Sequence, residues 1–336
     1  MGIDNKRRRV VDLFIEFRAL DVFIIFILLF LTFLLLSPGH RFISKDNLDV
    51  FFSIGSEFTI VPIVIGMLMI AGEFDLSVGS NLVFCSFIFF KLIDVGVNVW
   101  LSSFLTILVG TFVGFSNGFI TVKAKIPSFI TILGTMMLWR GVTLFWSQGL
   151  QKALELQGHD FFVKIFTGQI AKFLPVQFLW FIIIALLIGF IVHFHRFGNW
   201  LYTTGDNKQA ARAMGINTDM VKVITFSIVG AVVAFVAIMQ IVRVGTFTSR
   251  AGDGWELNAI AAAVVGGTAL SGGIGSIFGV FWGALIISII QNGLVVLRIP
   301  YYWTFTIFGV ILISSAIISL YLDKKRLSVG AAEAGN

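Results

Sequence analysis

Charge is what this chain has least of. Of its 336 residues 12% are charged and 57% hydrophobic, and the mean hydropathy is +0.97. A water-soluble domain cannot hide that much apolar surface, so the composition excludes one and makes the bilayer the chain's solvent. Cysteine is nearly absent as well: Cys85 is the single one and lies in an apolar run. That excludes a disulfide framework and a thiolate metal site. There is no G-x-x-x-x-G-K-[ST] phosphate loop, and the glycine cluster at 266–275 contains no lysine, so nucleotide phosphates have no cradle of that kind here. No Ser/His/Asp or paired-acid arrangement falls in a water-accessible segment. His193 and His195 flank Phe194 without a Cys or acidic cluster close by, and read as a polar tip at the membrane edge rather than a metal site. The basic stretch Lys6 to Arg9 is followed by Asp12, Glu16, Arg18 and Asp21 before any long apolar run. No cleavable signal peptide is expected, and the first helix should remain as an anchor.

What is present is a series of apolar runs, at about 22–36, 48–71, 76–93, 99–122, 128–146, 173–195, 220–242, 257–270, 276–297 and 302–322. At roughly 20 residues per crossing, ten crossings occupy about 200 residues and leave no room for a second folded domain. The expected fold is an all-α integral membrane protein, one transmembrane domain over 1–336 with about ten helices, some of them broken. The first and eighth runs are short for a full span.

The net charge of +6 sits in clusters beside these runs, the arrangement that orients a membrane protein rather than one that binds nucleic acid. Lys6 to Arg9, Lys123 with Lys125, His195 to Arg212 with Lys222, and Lys324 to Arg326 fall on one side if every run crosses once. The positive-inside tendency makes that side the cytoplasm. Both terminal segments, 1–21 and 323–336, and the 196–219 segment are then cytoplasmic, while Gln148 to Lys172 and Arg243 to Trp255 are external.

Two runs are interrupted. Ala71 to Ser80 (AGEFDLSVGS) places Glu73 and Asp75 between Gly72 and Gly79, and Val265 to Ser276 (VGGTALSGGIGS) is glycine-rich in the same way. Glycine weakens helix continuity, and Asp75, Ser77, Thr268 and Ser271 can cap the ends that breaks create. Irregular backbone at membrane depth survives only when buried in protein or lining a water-filled cavity. Gly72, Glu73, Asp75, Ser77, Gly79, Gly266, Gly267, Thr268, Ser271, Gly272 and Gly273 are thus candidates for a polar path or for close packing beside it. Gly110, Gly114 and Gly118 recur every four residues, a small-residue stripe for helix approach. Pro62 should kink the second run.

Each ionisable group at membrane depth costs at least about 2.5 kcal/mol and needs a reason. Glu57, Glu73, Asp75 and Arg140 are such groups. Arg140 is expected to pair with Glu73 or Asp75 and hold a broken helix in place; the competing reading has these carboxylates binding substrate hydroxyls or carrying protons. Arg243 and Arg250, on the external side, are candidates for docking carboxylates of a soluble partner, with lipid phosphate contact as the plain alternative.

The one long polar segment is Arg196 to Lys222. Inside it Lys208 to Met214 forms a helical pattern, with Asp206 or Asn207 as N-cap and Gly215 as the permissive end. At under about 12 residues such a helix is marginal alone. It is expected to dock into a groove on another cytoplasmic protein; a solvated loop is the alternative.

Taken together, GEFDLSVGS at 72–80, KIPSFITILGTMMLWRG at 125–141, TTGDNKQAARAMGI at 203–216 and ELNAIAAAVVGGTALSGGIGS at 256–276 resemble the membrane permeases of bacterial ATP-binding-cassette importers in the ribose, xylose and galactose branch. The resemblance covers nearly the whole chain. It implies a dimer of ten-helix permeases, identical or paralogous, in the bacterial inner membrane, with a cytoplasmic ATPase and an external or periplasmic substrate-binding protein. It also implies that Gly205, Asp206, Asn207, Ala210, Ala211, Arg212, Met214, Gly215 and Ile216 enter the ATPase groove. ATP and Mg would be bound by the ATPase, with no cofactor on this chain. Where the family usually has Gly-Gly-Ile-Asp, this chain has Gly72-Glu73-Phe74-Asp75, which leaves pentose, hexose, deoxyhexose or nucleoside open as substrate. A proton-coupled secondary transporter using Glu73 and Asp75, and a passive channel, are the rivals from other classes.

Overall fold

The computed structural model describes residues 18–124, 127–170, 174–300, 302–311, 313, 314 and 317. Lys6 to Arg9, Lys125, Lys172 and Lys324 to Arg326 lie outside the described residues, and so do the terminal-segment expectations that rest on them.

Helix α1 (Arg18–Leu36) is apolar after its first turn except for Thr32 and stops before Ser37-Pro38, where a 3₁₀ turn, Pro38–Ile43, follows; the residue before a proline disfavours the helical region. Helix α2 (Lys45–Ile70) starts on Ser44, whose side chain accepts from the Asn47 amide, and carries a π turn at Phe51–Gly55. It continues through Pro62. Every residue from Ser56 to Ile70 is buried. A helix apolar on all sides belongs at the centre of a bundle, and α2 is that centre. Helices α3 (Val78–Asp94), α4 (Val99–Ala124) and α5 (Ser128–Ser147) follow. Next come strand β1 (Lys152–Ala153), the short helix α6 (Asp160–Thr167) and the hairpin of β2 (Gln169–Ile170) with β3 (Leu174–Pro175).

Helix α7 (Val176–Phe194) leads into two polar helices, α8 (Arg196–Asp206) and α9 (Lys208–Ala213), and then into α10 (Thr218–Val244). The glycine stripe is the reason α4 and α10 lie against each other. Gly110 faces Gly230 and Ala234, Gly114 faces Phe226 and Gly230, and a Cβ on Gly118 would stand 2.9 Å from the Val223 Cα. Small residues at this spacing let two backbones meet, the main attraction available between helices in lipid.

After α10 the chain departs from expectation. Gly245, at φ +69°, ends the helix; strand β4 (Thr246–Phe247) pairs antiparallel with β1; and the chain then turns back inward. The Gly252 carbonyl oxygen would lie 2.6 Å from a Cβ on Gly79, in the first turn of α3. Lys222, near the opposite end of α10 from β4, is paired with Glu73, and Glu73 lies a few residues before Gly79. The segment from Thr248 to Trp255 is therefore re-entrant rather than a simple external loop, which corrects the reading of Arg243 to Trp255. Helix α11 (Trp255–Val265) has 11 residues, about 16 Å of rise against a core of about 30 Å, so it completes only a half-crossing. Helix α12 (Ile277–Val296) and helix α13 (Tyr302–Ile311) finish the described chain. Among the described residues six helices are long and apolar enough to cross a membrane: α2, α4, α5, α7, α10 and α12.

Candidate functional site

The site forms where α2 and α11 stop. Both end in the same hydrogen-bond pattern. At the end of α2 the Gly72 amide donates to the Met69 carbonyl at 2.9 Å and the Glu73 amide to the Leu68 carbonyl at 3.2 Å. At the end of α11 Gly267 donates to Val264 at 2.9 Å and Thr268 to Ala263 at 3.0 Å. This pairing satisfies orphan carbonyls and requires a left-handed residue after the last turn. Gly72 (φ +77°) and Gly267 (φ +87°) supply it. Helix α9 ends the same way, with Gly215 at φ +83° donating to Arg212 and Ile216 donating to Ala211.

The loop after α11 closes on itself through the Ala269 amide and the Ile274 carbonyl, and its Gly273 amide donates at 2.9 Å to the carbonyl of Ile70, the last residue of α2. Helix α8 covers this meeting point. A Cβ on Gly205 would overlap the Ile70 carbonyl oxygen and the Gly273 amide; a Cβ on Gly272 would stand 2.6 Å from the Gly72 Cα and 3.0 Å from the Gly205 oxygen. A Cβ on Gly273 would stand 2.7 Å from the Asp206 Cα. Three segments far apart in sequence thus touch backbone to backbone, and only glycine permits it. Tyr202 of α8 donates to the Gly275 carbonyl at 2.8 Å, and burial pushes its phenol pKa up. Sequence reasoning singled out Gly205, Gly72, Gly272 and Gly273 separately; the structure brings them together.

The acidic residues of the first break are tied into this frame. Glu73 forms a buried ion pair with Lys222 of α10 at 2.5 Å. Asp75, 1% exposed, accepts from the Ser77 amide at 2.7 Å and the Ser77 hydroxyl at 2.6 Å, and Asn117 of α4 donates to that hydroxyl at 2.8 Å. Asp75 and Ser77 thus start α3 and fasten it to α4. Lys222 and Asn117 were not named as partners from the sequence; Lys222 stands a few residues into an apolar run, and that was the available signal.

Arg140 is a correction. It pairs with neither Glu73 nor Asp75: its guanidinium meets Asp253 at 2.9 Å and donates to the Ser249 carbonyl at 2.7 Å. Arg243 donates at 2.7 Å to Glu57, which is fully buried, so it is engaged inside the chain, whereas Arg250 is exposed. His193 Nε2 accepts from the Ile277 amide at 3.2 Å and caps α12, and His195 Nδ1 accepts from the Phe197 amide at 3.1 Å and caps α8. Among the described residues no group of His, Cys, Asp and Glu could hold a metal ion.

Helix α9 is capped by Asn207, whose side-chain oxygen accepts from the Gln209 and Ala210 amides, each at 3.0 Å. Asp219 receives Arg212 at 2.7 Å and Lys208 at 3.1 Å, and Ala211 is buried. The outer surface presents Asp206, Asn207, Ala210, Arg212, Met214 and Gly215, with Met214 64% exposed. Gly266 packs on α12, where its Cβ would lie 2.6 Å from the Val280 Cα; Thr268 is buried and Ser271 exposed.

A bundle of apolar helices with two of them broken, and a polar helix, α8, seated on both breaks, is the build of a polytopic membrane permease. The chain belongs to the family described as branched-chain amino acid transport system / permease component, whose model matches residues 48–316. It is similar to the protein named autoinducer 2 import system permease protein LsrC of Salmonella typhimurium (strain LT2), 32% identical over 85% of this chain and 82% of that protein. Its similarity to the LsrC of Photorhabdus luminescens is 33% over 83% of each chain, and to that of Escherichia coli (strain K12 / DH10B) 31% over 85% of this chain and 84% of that one. No solved structure matches. The chain is a transport component rather than an enzyme, and a multi-pass inner-membrane protein.

Proposed function

We propose that this chain is the permease subunit of an ATP-driven importer that carries a monosaccharide, pentose or hexose, or a sugar-like signal such as autoinducer 2, into the cytoplasm by alternating access. The observation that carries the reading is the contact of Gly205 with Gly72, Gly272 and Gly273. A lever is useful only if what it presses on moves with it, and here helix α8 rests on both breaks without an intervening side chain.

In this reading the chain crosses the membrane ten times with both termini in the cytoplasm. The α8–α9 pair faces a cytoplasmic ATPase that binds ATP and Mg, and a second permease copy, identical or paralogous, completes the path. An external binding protein delivers the solute. ATP-driven closure of the ATPases draws α8 and α9 together as one body. The α2 and α11 ends then shift, because the ATPase contacts favour one of the two arrangements.

The test is uptake by proteoliposomes carrying the permease, its ATPase and its binding protein, with radiolabelled ribose, xylose, galactose, autoinducer 2 and uridine. ATP-dependent accumulation of a sugar or of autoinducer 2, insensitive to a proton ionophore, is expected. Accumulation driven by a proton gradient without ATP would make the chain a secondary transporter, and accumulation of uridine alone would move the substrate to nucleosides.

A further inference from the structure

The pair Arg140–Asp253 is separate from the glycine junction and has a geometry of its own. Arg140 stands about 18 Å along α5 from Ser128, and about 10 Å from its other end, at 1.5 Å per residue. Its contacts with Asp253 and the Ser249 carbonyl hold the re-entrant segment to the middle of a helix that is apolar enough to cross the membrane. In the single chain the Arg140 side chain is 24% exposed and that of Asp253 56%. Met137 and Leu144, about one turn to either side of Arg140, are exposed and apolar.

A half-exposed carboxylate at this depth is incompatible with hydrocarbon: ionisable groups within membrane segments face the bundle interior or a water-filled cavity. The irregular backbone of 248–254 makes the same demand. The surface over Asp253 is therefore turned to water or polar protein. Within the pair the charges cancel, one guanidinium against one carboxylate, so it has little net attraction for an ion. It offers donors and acceptors side by side, which is what a hydroxyl group, itself donor and acceptor, can use.

We propose that Arg140 and Asp253 form a solute-contacting site for a neutral polyhydroxylated molecule on the translocation path, with the 248–254 segment as one wall. This rests on the importer reading and adds the residues that meet the solute.

The experiment uses the complete complex in proteoliposomes and whichever member of the solute panel the wild type accumulates. Asp253→Asn is expected to raise the KM for uptake about tenfold or more, the loss of a charge-assisted hydrogen bond. Asp253→Cys is expected to react with a membrane-impermeant thiol reagent, and the transported solute to slow that reaction; the native Cys85 is fully buried and gives little background. An unchanged KM in Asp253→Asn, or an Asp253→Cys variant untouched by the reagent, overturns the proposal. So does restoration of wild-type KM by the charge exchange Arg140→Asp with Asp253→Arg, since a purely structural latch would survive the swap. If the wild type accumulates nothing with ATP, the importer reading itself fails; if it does and only the variants behave like wild type, this inference alone fails.

Discussion

Lys222 and Glu73 concentrate the cost of the design in two side chains. Each side chain is only about 10% exposed, so removing one partner strands a charge in apolar surroundings, at about 3–5 kcal/mol. Replacing both with apolar residues of similar size returns most of that, because the desolvation of two charges disappears with them. Lys222→Met is therefore expected to lower the unfolding temperature of the detergent-purified protein clearly, and Lys222→Met with Glu73→Leu to recover it. A double variant as unstable as the single one would show that the pair is not the local determinant. Gly205 sits at the same scale but fails differently. Gly205→Ala adds one methyl where the Ile70 carbonyl and Gly273 amide already stand, so the variant is expected to insert and keep its ATPase while transport falls about tenfold or more, a barrier change of at least about 1.4 kcal/mol. Normal uptake by Gly205→Ala would mean the junction tolerates separation.

Among the elements, α4 and α10 show how much of the fold is legible from spacing alone. Gly110, Gly114 and Gly118 announce a helix contact, and α10 supplies Gly230 to meet them. Gly114→Val should force the two helices apart, with the overpacking cost of about 1–3 kcal/mol, read as loss of the monodisperse peak in size-exclusion chromatography. An unaffected Gly114→Val protein would place the close approach elsewhere. The re-entrant segment, by contrast, was not legible. Hydropathy sees that the eighth run is short, but nothing local says that 248–255 folds inward to Gly79; that is settled by tertiary contact. The same limit misassigned Arg140. Burial at membrane depth demanded a partner, and the sequence offers several carboxylates without saying which lies near. The cap and end of α9 were readable, because Asn207 and Gly215 act through bonds within four residues; the capping expected of Thr268 and Ser271 was not, since α12 starts after Ser276 and its first amide donates to His193.

At the scale of the whole molecule, three motifs far apart in sequence, around Gly72, Gly205 and Gly273, meet at one point. Each motif was visible in the sequence as a polar or glycine-rich interruption; their convergence was not, since spacing along a chain carries no information about which interruptions touch. On the importer reading proposed above, this convergence is what would let α8 and α9 act as a transmitter rather than a connector. The surface beyond it, with half-exposed Lys208 and exposed Ala210 and Met214, is where an ATPase is expected to press. The most direct measurement is lysine-reactive cross-linking mass spectrometry of the complex extracted from its own membrane. The account predicts a cross-link from Lys208 to the ATPase that is absent from Arg212→Glu complexes, in which the charge facing the ATPase and Asp219 is reversed. An ATPase recovered in good yield with no cross-link through Lys208, and with its contacts at another surface of the permease, would contradict it.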